Sequence, residues 1–445
     1  MRSKILLTIA VILIGLSSSY SQDDTLVLTL NKALAMAKDR SADAMIAKHR
    51  FRMNYWQYRS FKADYLPSVT MDAILPDFDR SYRQVIQPDG TNKYQYNTLG
   101  DYSAGMTINQ KVGFTGGSVF LRSSLNRHDD FYDDSTNISY QSTPVIIGYS
   151  QPVFQYNEYR WARQLEPIRY EKAKRQYLED VEQVSINTIN HFFNLLLAQI
   201  ERGIAEKNLN SYDTLFRIAR GRYQLGKIAE NELLQLELNY LRAKASVDNA
   251  KLNYEDMLFR LKSFLRLQNT QAVQLLPPAE TRHNVINTSQ AMAEARNREP
   301  LDQQSVNLGI NVPILDWGKA RGQIKVAESN LELEQTTVEQ EIIDFEQSVF
   351  LSVMEFNMQK DQLYIAAKAD TVAQKRYDVT QKRYMIGQVN DVLELNNAQI
   401  DNDNARKGYY AALRSYWINY YQLRKMTLYD FLDNKILMFD IREIM

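Results

Sequence analysis

The chain has 445 residues, room for two or three ordinary domains. Its 53 basic and 53 acidic side chains cancel, which argues against a nucleic-acid-binding surface. It has no cysteine, which excludes disulfides, thiolate metal sites and a thiol nucleophile.

Residues 1–21 read as a secretory signal peptide. Arg2 and Lys4 supply a positive start, Ile5 to Leu16 an apolar core too short to span a bilayer, and Ser17 to Ser21 a small-residue region before a cut at Gln22. No later stretch is apolar enough for a membrane helix, so any span is expected to be built from strands. Residues 22–67 form an N-terminal helical segment. Leu30, Ala33, Leu34 and Ala37 set an apolar stripe at helical spacing, predicting a helix over 28–65 that Leu66-Pro67 stops.

Residues 68–155 change period. Tyr102, Ala104, Met106 and Ile108 alternate with Ser103, Gly105, Thr107 and Asn109, the pattern of a half-exposed strand. Turn signals at Pro88-Asp89-Gly90, Gly113 to Gly117 and Asp133 to Asn137 punctuate the region. Behind a signal peptide, such strands fit a barrel wall with lipid outside and water inside; an ordinary sheet has the same alternation. Phe154, Tyr156, Tyr159, Trp161 and Trp317 crowd where strand meets helix, as an interfacial belt or as junction packing.

A long helix is predicted over 157–222, roughly 95 Å if continuous, with Pro167 bending it near its start. It carries two apolar seams. One is Val181, Val184, Thr188, Leu195 and Ala198, with His191 among them; the other is Ile186, Ile189, Phe193, Leu196 and Ile200. Both step by three and four, as coiled-coil seams do. They lie about 140° apart around the axis, so the helix has a neighbour on each side, close to what a closed ring of roughly twelve helices needs. Return helices follow at 231–265 and 396–423.

The strand–helix unit occurs twice. Gly148, Pro152, Arg222 and Gly226 recur as Gly309, Pro313, Arg383 and Gly387 at a constant offset of 161. Val306, Leu308, Ile310 and Val312 alternate in the second copy, and Ile342, Phe345, Val349 and Phe356 repeat part of a seam. Gly226 and Gly387 mark the far ends of two helical hairpins. Catalytic motifs are missing. The histidines, His49, His128, His191 and His283, are not in metal-ligand spacing, and there is no serine elbow or phosphate-loop lysine. Asp129 to Asp134 reads as a solvated acidic loop in preference to a cation site. No catalytic residue, metal or cofactor is expected, so the chain does not read as an enzyme.

Taken together, these residues resemble the TolC family of outer-membrane efflux proteins over nearly the whole mature chain. The marks are Leu28-Thr-Leu-Asn-Lys-Ala33-Leu, Tyr65-Leu-Pro67-Ser, Ser150-Gln-Pro152-Val-Phe154, Arg222-Tyr223-Gln-Leu-Gly226, Val312-Pro313-Ile-Leu-Asp-Trp-Gly318 and Arg383-Tyr384-Met-Ile-Gly387. The resemblance implies a homotrimer that closes one shared β-barrel in outer-membrane lipid and a helical tunnel in the periplasm. It also implies a periplasmic adaptor and an inner-membrane pump as partners, in efflux or type I secretion. The family constricts the tunnel tip with two acids, here matched by Asp391 and Glu394. Repeated around a threefold axis, they would repel one another and attract cations; alternatively they are solvated acids favoured at a helix start. Leu225, Gly226, Lys227, Ile386, Gly387 and Gln388, at the hairpin ends, are the expected adaptor contacts.

The chain departs from the family pattern in having Glu394 where the best-known member's pattern has Asp, and in one larger respect. Ala33, Ala37 and Arg40 align with Ala291, Ala295 and Arg298 at an offset of 258, so the second copy is 97 residues shorter before the offset of 161 sets in. The expected fold is mainly α with a membrane β portion. Its segments are the N-terminal region 22–67, strands 68–155, hairpin 156–268, linker and short helix 269–300, strand 301–316, hairpin 317–427 and tail 428–445. The expected function is a passive outer-membrane conduit. The alternatives are a periplasmic or surface coiled-coil scaffold and a truncated, non-functional family member.

Overall fold

The computed structural model describes residues 26–131, 135–152, 156–268, 272–278, 286–296, 318–386 and 392–445. The expected signal peptide, the strand at 301–316, Phe154 and Trp317 lie outside these residues. The chain divides into two compact units. One takes residues through His49, Tyr177–Glu299 and Gln335–Met445; the other takes Arg50–Gln176 and Pro300–Glu334.

The first unit opens with β1 (Leu26–Leu28), α1 (Leu30–Arg40) and the start of α2 (Ala42–Ala63). The single helix expected over 28–65 is broken at Ser41. Its backbone is extended, and its hydroxyl accepts from the Ala44 amide at 3.2 Å, so it ends α1 and caps α2. Thr29 caps α1 in the same way, accepting from Lys32 at 3.4 Å. β1 pairs in parallel with β6 (Val273–Leu275), and Leu28, Val273 and Leu275 are all buried.

The second unit is built on a four-stranded antiparallel meander, β2 (Ser68–Ile86), β3 (Asn92–Val112), β4 (Gly117–Phe131) and β5 (Thr136–Ser150). Cross-strand register puts Val69, Ile108, Leu121 and Ile147 in one row. Thr70, Thr107, Arg122 and Ile146 form the next row, on the opposite face. The apolar row is largely exposed, with Ile147 at 73%. Gly148 faces Phe120, whose ring lies over its backbone; a Cβ there would meet the ring Cζ at 2.1 Å. Asp129 and Asp130, expected in a solvated loop, instead belong to β4; residues 132–134 lie outside the described ones. Asp129 is buried and takes both Nε and Nη2 of Arg127 at 2.7 Å. On the α2 side, Tyr58 stacks on Tyr170 at 4.6 Å, and Tyr65 packs edge-on to Tyr159 at 6.4 Å. Of the junction aromatics, Tyr159 is therefore a packing residue, while Tyr156 is exposed.

The two copies of the repeat are α3 (Glu158–Gln224) with α4 (Glu230–Leu265), and α6 (Lys319–Met385) with α7 (Val392–Thr427). Between α4 and α6 lies the short α5 (Thr288–Arg296). α3 and α6 both have 67 residues and start and end 161 positions apart. α4 and α7 both have 36 residues, and their buried faces recur 159 apart, as Leu236 and Leu395, Ala243 and Asn402, and Leu261 and Tyr420, two fewer than the 161 of α3 and α6.

Both seams of α3 are buried, around Val184, Thr188 and Leu195 and around Ile189, Phe193 and Leu196. The face between them is closed too, at Ser185 and Phe192. Gln199, on that face, donates to Leu275 O at 3.4 Å and accepts from Leu275 N at 3.3 Å, tying α3 to β6. His191 stacks on Phe264 at 4.6 Å, and burial lowers its pKa. Of the second-copy seam, Val349 and Phe356 are buried but Ile342 is exposed. Residues 428–445 form no loose tail. β7 (Tyr429–Asp430) and β8 (Lys435–Ile436) pair, α8 (Ile441–Ile444) follows, and Phe431 and Ile444 are buried.

A buried ionic cluster fastens this end. Arg424 donates from Nη1 to Asp430 at 2.7 Å and from Nη2 to Glu182 at 3.1 Å. Its Nε lies 3.1 Å from the other Glu182 oxygen, yet neither atom has a well-aligned partner. Lys38 adds a longer contact to Glu182 at 3.7 Å, and Tyr420 donates to Asp430. Burial pushes the Asp430 carboxyl up, but the Tyr420 hydroxyl and the Arg424 charge outweigh it and hold it below the usual range. Burial lowers the Lys38 ammonium.

Candidate functional site

The hairpin ends are built by helix stops of two kinds. α3 ends in a left-handed glycine, Gly226 at φ +63. Its amide donates to Tyr223 O at 2.9 Å and the Lys227 amide to Arg222 O at 2.9 Å, the paired bonds of a Schellman stop. α6 ends in the same frame: Ile386 N donates to Lys382 O at 3.1 Å, as Leu225 N does to Gly221 O at 3.2 Å. The carbonyls at the end of α6 are capped from the other repeat. Arg222 Nη2 donates to Met385 O at 3.1 Å and to Tyr384 O at 3.4 Å, and its guanidinium lies 5.4 Å from the Tyr384 ring centre. A cation at a helix C-terminus is favoured by the dipole as well as by these bonds.

All four long helices meet here. Leu215 and Ala219 of α3, Leu236 of α4, Tyr384 of α6 and Leu395 of α7 share one apolar cluster. Tyr384 is 2% exposed. Burial raises its hydroxyl pKa, and the Arg222 charge opposes this only in part. Tyr212, in the same cluster, donates to Asn396 at 2.7 Å, and burial pushes its hydroxyl pKa up to about 12. One layer further, Asn208 donates to Asp403 at 2.7 Å, where burial raises the carboxyl.

Of the expected gate residues, Glu394 is half-buried in the first turn of α7, between the buried Val392 and Leu395. Those neighbours fix the phase of the turn. Asp391 lies outside the described residues. Of the expected adaptor contacts, Leu225 is 75% and Ile386 68% exposed, and Gly226 and Lys227 are exposed as well. Gly387 and Gln388 lie outside the described residues. The bridge from Arg222 to the end of α6 is not foreseen from the sequence. Its signal there is the duplicated Arg-Tyr pair, which by itself names no partner. Among the described residues no cluster of His, Asp or Glu is placed to hold a metal ion. Among them, too, no helix is long and apolar enough to cross a membrane.

The family profile described as outer membrane efflux protein matches residues 33–265 and 275–427, one stretch for each repeat. No curated protein matches at a significant level. Among solved structures, the CmeC outer membrane channel of Campylobacter jejuni is similar with a TM-score of 0.62 at 17% identity, over 89% of this chain and 85% of that one. CusC, a transmembrane channel, gives 0.58 at 14% identity, over 92% and 95%. The outer membrane protein VceC of Vibrio cholerae gives 0.56 at 12% identity, over 90% and 95%. At these identities the likeness is one of fold.

Proposed function

The chain belongs to the outer membrane efflux protein family, and from that premise we propose that three copies form one conduit from periplasm to exterior. As a family member it is an outer-membrane channel component of an efflux system, and its family and structural neighbours are channels, not enzymes. In our reading, the sheet of each copy contributes to a shared barrel in outer-membrane lipid, and the paired hairpins line a periplasmic tunnel. A periplasmic adaptor docks on the exposed hairpin ends, and an inner-membrane pump supplies the energy.

The observation that carries this reading is the meeting of both hairpins in one apolar cluster, with Glu394 held at its margin. Placed around a threefold axis, Glu394 and Asp391 form the narrowest charged ring. Their mutual repulsion opposes closure, and their field favours cations. Single-channel recording tests this. Asp391→Asn with Glu394→Gln keeps side-chain size and removes the charge. The double variant is expected to form channels that have lost cation preference and are blocked less by divalent cations. An unchanged reversal potential in a salt gradient, with unchanged divalent block, would remove both residues from the gate.

A further inference from the structure

The repeat places the same dipeptide, Arg-Tyr, at the end of α3 (Arg222, Tyr223) and of α6 (Arg383, Tyr384). Among the described residues, one of the two crossed pairings is made within the chain. Arg222 covers the Tyr384 ring and caps the last carbonyls of α6. The reciprocal pair is left over. Tyr223 is 41% exposed where its counterpart is almost fully buried, and Arg383 is exposed where Arg222 is half-buried. Among the described residues neither a hydrogen-bond nor an ion-pair partner faces Arg383. The acceptor side is intact. Tyr223 O takes the Gly226 amide at 2.9 Å, and a carbonyl has a second lone pair. The end of α3 also carries the negative pole of its helix.

The bond from repeat 1 to repeat 2 is head-to-tail: an arginine on one side, a tyrosine and a helix end on the other. A contact of that kind leaves one free donor and one free acceptor, which suit each other but sit on different members of the pair. A second copy of the same chain satisfies both, and repetition of the contact closes a ring. We propose that Arg383 of one copy lies over the Tyr223 ring of the next and caps the carbonyls of Tyr223 and Gln224. Cation–π attraction and helix capping are the forces, as they are for Arg222 within the chain. Every hairpin end in the ring is then fastened to the next by the same kind of bond, alternately within and between chains. This contact rests on the trimeric reading above.

The absence of cysteine makes introduced thiols unambiguous. The full chain carrying Tyr223→Cys and Arg383→Cys is purified in detergent and treated with a short bismaleimide. It is expected to give a ladder to covalent trimer on a denaturing gel. Either single variant should stay monomeric, and the pair Arg222→Cys with Tyr384→Cys should link only within the chain. The uncross-linked particle is weighed separately by native mass spectrometry. A trimer by mass with no ladder, while the control pair links, overturns the Arg383–Tyr223 contact and leaves the trimer standing. A monomer by mass overturns the trimer, and the contact with it. A second measurement separates contact from mere nearness. Arg383→Ala and Tyr223→Ala should each lower the temperature at which trimers fall apart, and the double variant should lower it no further. Additive losses would overturn the pairing.

Discussion

Arg424 shows what a single side chain does when its charge is taken out of water. It is held by two carboxylates, Glu182 and Asp430, that are far apart in the chain. Removing one partner of such a buried pair leaves the other uncompensated, at about 3–5 kcal/mol. The pH dependence of this cluster has a definite sign. The folded pKa of Asp430 lies below its ordinary value. Its contribution is therefore complete above the ordinary carboxylate pKa of about 3.9 and fades as pH falls through the lowered folded value. Tyr212, pushed up to about 12, has the opposite sense: its contribution holds below the ordinary tyrosine pKa and is lost as pH rises toward the folded value. Thermal melts across pH should thus show Asp430→Asn flattening the acid limb and Tyr212→Phe the alkaline limb. Unaltered limbs in both variants would mean that these two groups do not set them.

At the hairpin end, Gly226 is the residue whose backbone decides. Its φ of +63 has open space around a built Cβ, so a side chain meets conformational strain alone. For a β-branched residue in that region the cost is at least about 1–2 kcal/mol. Gly226→Val with Gly387→Val is expected to leave membrane insertion intact and impair efflux, measured as export of a fluorescent probe from cells that depend on this chain. Normal efflux would argue against adaptor docking at these turns.

Among the elements, the long helices are the most legible in the residues alone. A strict offset of 161 and two seams stepping by three and four announce them, and the structure keeps both. The buried face between the seams leaves no such signal. Phe192 lies there, covered in the same core as Leu28 and Leu275, whose strands have three residues each. Strands that short carry no period, and a parallel pairing of Leu28 with Leu275 leaves no local trace. Phe192→Ala is expected to cost about 3–5 kcal/mol, read as a lower melting temperature of the purified protein. Ile342→Ala, on the exposed part of the second-copy seam, should cost far less. The break at Ser41 is hidden because the apolar stripe runs through it, although a serine three residues before a helical amide is itself a capping signal. Asp129 reads as a loop residue because it opens an acidic run; its ion pair with Arg127 neutralises it inside a strand. Glu394 is legible only through the family resemblance, since nothing in its own neighbours distinguishes a gate from a helix start.

At the scale of the whole molecule, the proposed conduit has the sheet meet lipid. Val69, Ile108, Leu121 and Ile147 form an apolar row, while Thr70 and Thr107 lie on the other face. A Lys on the lipid side of a barrel costs about 2–4 kcal/mol near the bilayer midplane, and on the water side little. Ile147→Lys is expected to reduce the amount recovered in outer-membrane fractions, whereas Thr70→Lys should not. Equal recovery of the two would show that this row does not face lipid.

The shorter repeat distance of the return helices, 159 against 161, has a consequence for symmetry. Two residues are about 200° of helix rotation, and no single offset relates both the outgoing and the return helices of the two copies. From the end of the outgoing helix to the matched buried residue of the return helix the chain takes twelve positions in one copy (Gln224 to Leu236) and ten in the other (Met385 to Leu395), so the two reversals are not equivalent. In the proposed trimer the sixfold pattern of the outgoing helices therefore degrades to threefold at the ends. A partner that caps every end meets two kinds of seat in alternation. If it has one binding surface, it must either fit both seats unequally, filling them at different concentrations, or leave every other one empty.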